Sequence, residues 1–345
     1  MKISPSIPGR IALIDQEEWL FFAGTAYLGI PHNKEFRQLI MEGLNQYGNN
    51  FGASRANTPA IDIYQKAETK LAEYCGSESA LVVSSGSLAG QLAVKHLEST
   101  HHCFFSPDAH PAIVGQGERE NLSFEAWTEK ILFQIHKNPG KYAIFCNAID
   151  PLGVREYDFS FLNELDKSSE VTVLLDDSHA LGILGQNGAG SYHPTNYELI
   201  VTASMGKALG VPAGAILGKE KTLQKIASMA LFRGSSPPLP AYLYAFIHSN
   251  SIYSESRKKL FENLDYFNLL HHQNQSLQKI PNFPIYKYLK DGFDVFAMQE
   301  KTIISSFHYP SETDPKLVRI IINALHTKED LKKLSDLITL FEKIQ

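Results

Sequence analysis

The sequence has no apolar run approaching the length needed to cross a bilayer, which excludes a membrane-spanning reading. Its N-terminus, from Met1 to Trp19, lacks the apolar core of a secretory signal. Positive charge is never concentrated: 32 Lys and Arg stand against 37 Asp and Glu, a net charge of −5, with no basic block. Nothing is therefore offered to a nucleic-acid backbone. Cysteine is scarce. Cys75, Cys103 and Cys146 are odd in number and far apart, which excludes a disulfide framework and points to free thiols in a reducing cytoplasm. There is no low-complexity segment and no internal repeat. What remains is a chain of 345 residues, 43% hydrophobic and 20% charged. That is ordinary for a soluble globular enzyme with one large domain and a smaller one.

One stretch carries the chemistry. Val171 to Leu175 is a short β-branched run, too short for a helix and suited to a buried strand of a parallel sheet. It leads into Asp176-Asp177-Ser178-His179. In open α/β sheets, ligands sit beyond the carboxyl ends of the strands. A second run, Glu198 to Thr202, ends in Ala-Ser-Met-Gly and then Lys207, a lysine among small residues. Apolar surroundings lower a lysine pKa and favour Schiff-base chemistry. A carboxylate on a neighbouring strand end keeps a pyridine nitrogen protonated and the ring an electron sink. Asp176 and Lys207 fit these two needs of pyridoxal 5'-phosphate. Taken singly, a strand-end aspartate is more often a helix cap and a lysine more often solvated; the pair carries the weight.

The run Asp-Asp-Ser-His-Ala-Leu-Gly-Ile-Leu-Gly at 176–185, with Gly188-Ala-Gly190 and Ser204-Met-Gly-Lys-Ala-Leu-Gly210, resembles the α-oxoamine synthases. These are pyridoxal-phosphate enzymes of the aspartate-aminotransferase fold, fold type I. The resemblance implies an α/β protein with a mostly parallel central sheet, helices on both faces and a smaller α+β domain. It implies that Asp176 faces the pyridine nitrogen and that His179 approaches the ring hydroxyl. Ser204 replaces a phosphate-binding threonine, and Lys207 carries the cofactor as a Schiff base.

Further positions follow from the same resemblance. Ser85-Gly86-Ser87 follows the strand Ala80 to Val83 and opens a helix running to about Leu97. Free N–H groups and the dipole make a helix start a phosphate site, although a Ser-Gly turn alone is more often a cap. With the resemblance, Gly86 and Ser87 become phosphate contacts. His110, after the strand Cys103 to Ser106, takes the place of a histidine that lies flat on the cofactor ring and gives acid–base help. Asp150, after the strand Tyr142 to Cys146, takes a serine position at the cofactor's edge. Ser235 and Ser236 lie in a Pro-rich segment that reaches the partner subunit's phosphate in relatives. Arg319 takes the place of the arginine that binds the amino-acid carboxylate, a task suited to a two-pronged donor. Thr25 stands where an asparagine normally helps hold that carboxylate. The loop Tyr47 to Ser54, followed by Arg55, matches one that touches the dimer partner. The family's N-terminal helix, which supplies a substrate arginine in the biotin-pathway enzyme, is not expected here.

Apolar spacing from Ile61 to Tyr74 predicts an amphipathic helix. Other helices are expected over Asp158–Lys167 as a crossover, over Glu220–Ala230, and from Pro240 to about Gln278. After Pro281, strands are expected at Tyr286–Leu289, Ile303–Phe307 and Val318–Ile322. A last helix opens at Thr327, with Asp330 three residues on as its capping partner. The expected division is 1–45, a segment joining the small domain; 46–245, the large cofactor-binding domain; and 246–345, the small α+β domain.

The implied reaction is the decarboxylative condensation of an amino acid with an acyl thioester of coenzyme A or a carrier protein, in a cytoplasmic homodimer. The leading expectation is the biotin-pathway reaction of alanine with a pimeloyl thioester. Transamination by the same Asp, Lys and Arg is the alternative. A nucleotide site fails on spacing. Gly182-x-x-Gly185-x-x-Gly188 lacks the Gly-x-Gly start, and Gly206-Lys207 lacks the upstream glycines of a phosphate loop. No metal is expected, since the adjacent His101 and His102 diverge on an extended chain.

Overall fold

A computed structural model describes residues 3–344, apart from 56, 118, 166–167, 273 and 309–311. The chain opens with β1 (Ile11–Ile14) and β2 (Glu17–Phe22), then helices α1 (Lys34–Tyr47) and α2 (Ile63–Cys75). Strand and helix then alternate through β3 (Ser79–Val83), α3 (Gly86–Glu98), β4 (His102–Phe105), α4 (Phe124–Lys137) and β5 (Lys141–Asn147). A small ribbon of β6 (Ile149–Asp150) and β7 (Arg155–Glu156) leads to β8 (Glu170–Asp176), β9 (Glu198–Ser204) and β10 (Gly214–Gly218). Helices α5 (Glu220–Ser228), α6 (Ala230–Gly234), α7 (Pro240–Ile247) and α8 (Asn250–Leu270) follow. The chain closes with β11 (Leu277–Lys279), β12 (Ile285–Tyr288), α9 (Phe293–Gln299), β13 (Thr302–His308), β14 (Lys316–Ile321) and α10 (Lys328–Ile344).

The larger body is built on a six-stranded sheet of order β3-β10-β9-β8-β5-β4. Strands β4, β5, β8 and β9 run parallel; β10 runs against both of its neighbours. Side chains of a strand alternate between faces. Ile144, Val173 and Val201 accordingly enter one core with Leu71 of α2 and Trp127 of α4. Their neighbours Phe145, Leu174 and Ile200 enter another with Leu92 of α3 and Ile226 of α5. Burial on both faces is what a parallel sheet covered by helices requires, and it explains the near-continuous apolar runs. A second six-stranded sheet has the order β1-β2-β13-β14-β12-β11, so the N-terminal hairpin is paired with strands from the far end of the chain.

Three expected helices differ. Over Asp158–Lys167 the structure has only a 3-10 turn, Ser160–Glu164; residues 166–167 lie outside the described residues. Tyr157, Phe159 and Phe161 all pack on Phe124. Spacing of two residues puts aromatics on one side of an extended chain, not of a helix. The connection from β5 to β8 therefore has no α-helix among the described residues; α4, which crosses between β4 and β5, is capped by Ser123 and buries Phe124, Trp127, Ile131 and Ile135. The long helix from Pro240 is divided into α7 and α8 at His248–Ser249, where the buried Ser249 hydroxyl donates to the Ala245 carbonyl. It ends at Leu270, and Leu277 already belongs to a strand. The helix from Glu220 breaks at Met229, whose backbone is extended.

Candidate active site

The ends of β8 and β9 bring the two motif blocks together. Asp176 pairs with Thr202 in the register of these strands, so the carboxylate and the loop carrying Lys207 leave the sheet side by side. Asp176 Oδ1 accepts the Ser178 N–H at 2.9 Å, and the Ser178 hydroxyl accepts the Ser204 N–H at 2.8 Å. Lys207 Nζ lies 2.7 Å from His179 Nε2. His179 Nδ1 lies 2.7 Å from the hydroxyl of Tyr27.

Electrostatics follow from burial. Desolvation lowers the Lys207 pKa to about 8, with Arg319 acting in the same direction and Asp176 against it. Burial, reinforced by the charges of Lys207 and Arg319, holds His179 well below the usual histidine range, so its ring is neutral. Arg319 stands on β14, donates from Nη1 to the Pro151 carbonyl at 3.0 Å, and stacks its guanidinium over Phe307. Its buried Nε has no hydrogen-bond partner among the described residues.

His110 stands beside Asp176 with its side chain 54% exposed. Its Nδ1 accepts the Ala112 N–H at 3.1 Å, so the 3.8 Å approach to Asp176 Oδ2 is not an ion pair, and burial also lowers its pKa. Asn147 fixes the backbone here by accepting the His110 N–H at 2.9 Å.

At the other end of the site, Ser85 caps α3 by accepting the Leu88 N–H. The turn presses on Ser204: a Cβ on Gly86 would lie 2.8 Å from Ser204 Cα. Gly86, the exposed Ser87 and the Ser204 hydroxyl thus share the helix start, where an anion is favoured.

Not every expected residue joins this cluster. Both oxygens of Asp150 are engaged in its own turn: Oδ1 accepts the Leu152 and Gly153 amides, and Oδ2 pairs with Arg155 at 3.0 Å. Thr25 is half-buried, with no side-chain hydrogen bond among the described residues. Ser235 donates to the Leu231 carbonyl at 2.6 Å and closes α6, while Ser236 is exposed. The Ser54 hydroxyl donates to the Arg233 carbonyl, so the Gly/Asn-rich loop and the Ser235 segment form one surface. Arg55 is anchored by two bonds to Glu68, at 2.7 and 3.0 Å. Tyr27 and Ser178 were not singled out from sequence. Tyr27 stands two residues after Thr25, and only the long-range contact to His179 gives it a task.

Residues 116–338 match the family described as Aminotransferase class I and II. An 8-amino-7-oxononanoate synthase of Petrotoga mobilis is 26% identical over 349 residues, which cover 94% of this chain and 89% of the relative. A solved serine palmitoyltransferase from S. paucimobilis, with a bound PLP–myriocin aldimine, has a TM-score of 0.82 at 16% identity over 98% of this chain and 91% of that one. The 8-amino-7-oxononanoate synthase of Francisella tularensis has a TM-score of 0.72 at 19% identity, over 94% of this chain and 98% of that one. The structural likenesses establish the fold, and the family match spans most of the chain: this protein belongs to the aminotransferase class I and II family.

Proposed function

We propose that this chain is a pyridoxal-phosphate-dependent α-oxoamine synthase, joining an amino acid to an acyl thioester with loss of carbon dioxide. The leading reaction is that of 8-amino-7-oxononanoate synthase, from alanine and a pimeloyl thioester, as the name of the Petrotoga relative suggests. The observation that carries the reading is Lys207, a half-buried amine with a pKa near 8, held against neutral His179 beside Asp176.

The residues fit the cofactor. The α3 start and Ser204 make a cradle that a Cβ at Gly86 would fill, which suits a phosphate. Lys207 is the amine that would hold the cofactor covalently, Asp176 the carboxylate for its ring nitrogen, and the exposed ring of His110 a flat face to lie against it. His179 is placed for the ring hydroxyl. When bound, the cofactor's protonated ring takes up the electron pair released at an amino acid's α-carbon.

Arg319 holds the amino-acid carboxylate: its Nη1 is taken by the Pro151 carbonyl, but its Nε has no partner among the described residues, and a planar guanidinium suits a carboxylate. With the carboxylate fixed there, the α-hydrogen is turned towards Lys207, whose uncharged Nζ accepts the proton. The α-carbon then bonds to the thioester carbonyl carbon, the thiolate leaves, and the carboxylate departs as carbon dioxide. Lys207 returns its proton to the α-carbon and the thiolate takes one from water, so the products are an α-amino ketone, carbon dioxide and a thiol. A second copy of the chain completes the site by bringing Ser235 or Ser236 to the phosphate, and the protein acts in the cytoplasm. The body spanning 46–245 serves as the cofactor domain; segments 1–45 and 246–345 share the small one.

The test is purified protein supplied with L-alanine and pimeloyl-CoA. Carbon dioxide and free thiol are expected in equal amounts, dependent on both substrates. Pyruvate formed from alanine without thioester would overturn the synthase in favour of transamination.

A further inference from the structure

Tyr27 is fully buried, and its hydroxyl and the Lys207 amine sit on opposite nitrogens of the same imidazole, each at 2.7 Å. A neutral imidazole carries one N–H and one lone pair, so the two bonds are linked: the ring donates on one side and accepts on the other. Two arrangements are possible. In the first, Tyr27 donates to Nδ1, the ring proton sits on Nε2, and it is donated to an uncharged Lys207 amine. In the second, a Lys207 ammonium donates to Nε2 and Nδ1–H is donated to the tyrosine oxygen. The hydroxyl proton of Tyr27 then needs another acceptor. Among the described residues it has none, and no surface of the residue is exposed to water. A buried donor without a partner carries the full penalty of desolvation, so the first arrangement is favoured.

Tyr27 is well placed to impose that choice. Burial raises its pKa, so it remains a neutral hydroxyl. Its carbonyl accepts the Ala324 N–H at 2.9 Å, and its ring packs against Phe283, so the hydroxyl has a fixed position. The other groups facing the lysine act only through charge: Asp176 at the end of β8 favours the ammonium, while Arg319 on β14 favours the free amine. His110 and Arg319 also face His179, and both disfavour a charged ring.

We propose that Tyr27 is a positioning residue: it favours the His179 tautomer protonated on Nε2 and thereby enlarges the share of Lys207 present as a free amine able to capture the cofactor's aldehyde. The purpose, although not the test, rests on the reading of Lys207 as the cofactor-bearing lysine.

The experiment uses the full chain freed of cofactor. Nitrogen-15 histidine spectra are recorded at about pH 9, above the Lys207 pKa of about 8, with the His179 signal assigned by its loss in His179→Gln. The Nε2–H tautomer is expected in the unaltered protein; the Nδ1–H tautomer would overturn the proposal whether or not any Tyr27 variant folds. The pH dependence of Lys207 acetylation by acetic anhydride, read by peptide mass spectrometry, is then compared with Tyr27→Phe. The midpoint is expected to rise by about one pH unit in the variant, with capture of pyridoxal phosphate at neutral pH slowed about tenfold. An unchanged midpoint in folded Tyr27→Phe refutes the role. Both readouts precede any turnover. A chain that shows the shift but makes no amino ketone therefore argues against the assigned reaction and leaves this inference standing.

Discussion

Ser178 joins the two halves of the site: its backbone N–H is donated to Asp176 Oδ1 and its hydroxyl accepts the N–H of Ser204. One residue thus braces the carboxylate at one strand end, through its backbone, against Ser204 at the next, through its hydroxyl. Ser178→Ala leaves the Ser204 N–H without its acceptor. A loss of about 1 kcal/mol in unfolding free energy is expected, with weaker binding of pyridoxal phosphate. Denaturant melts and a cofactor titration check it; unchanged affinity removes the bracing role.

Gly86 allows α3 to approach β9. An added Cβ would meet Ser204 Cα and Cβ, both at 2.8 Å, and the first of these is backbone that cannot swing aside. Gly86→Ala should lose about 1–3 kcal/mol by overpacking. The decisive comparison is binding of pyridoxal phosphate against pyridoxal. Only the phosphorylated form should bind more weakly in the variant; an equal loss for both would move the phosphate away from this turn.

Arg319 is the residue proposed to hold the amino-acid carboxylate. Arg319→Lys keeps the charge but not the planar fork, and the stacking on Phe307 is lost. The KM for the amino acid is expected to rise on the order of tenfold, equivalent to about 1.4 kcal/mol, while the KM for the thioester stays near its original value. Initial rates with each substrate varied in turn provide the check. A change confined to the thioester would reassign the residue.

Asp177 should make stability depend on pH. It is buried, its Oδ1 has no partner among the described residues, and its Oδ2 accepts the Ser191 N–H at 3.0 Å. Burial raises its pKa from 3.8 to about 7. The folded protein therefore holds this proton where the unfolded chain has released it. The stabilisation is complete below pH 3.8 and is lost as pH rises towards 7. Relative to Asp177→Asn, the unaltered protein should lose on the order of 1 kcal/mol per pH unit across that window and then level off. Unfolding curves at several pH values measure it, and parallel pH profiles for the two proteins would show that Asp177 stays ionised.

Much of this was legible along the chain because the informative residues sit at strand ends. Asp176 and Lys207 close two apolar runs, and a parallel sheet places such ends together without further information. Thr327 and Asp330 were legible as a capping pair, and each accepts the other's backbone N–H, at 2.9 and 3.2 Å. That Arg10 adds a two-pronged contact to Asp330 was not, since the two are remote in sequence. Tyr27 was hidden for the same reason: its partner His179 is 152 positions away. The segment 158–167 was misread because aromatics two apart look as apolar as a helical stripe. Asp150 was read by alignment to a serine, but a carboxylate has the reach and charge to turn back on its own loop and take Arg155.

The reversed direction of β10 has a consequence at the rim. Gly214, where that strand begins, is paired with Val83 and Ser204, where its two neighbours finish. Three lengths of main chain therefore converge on one point, and a methyl group on Gly214 would sit 2.1 Å from the Ser85 carbonyl oxygen. Bare backbone is enforced at that convergence, and the α3 start and the end of β9 are drawn together by the absence of a single methyl group.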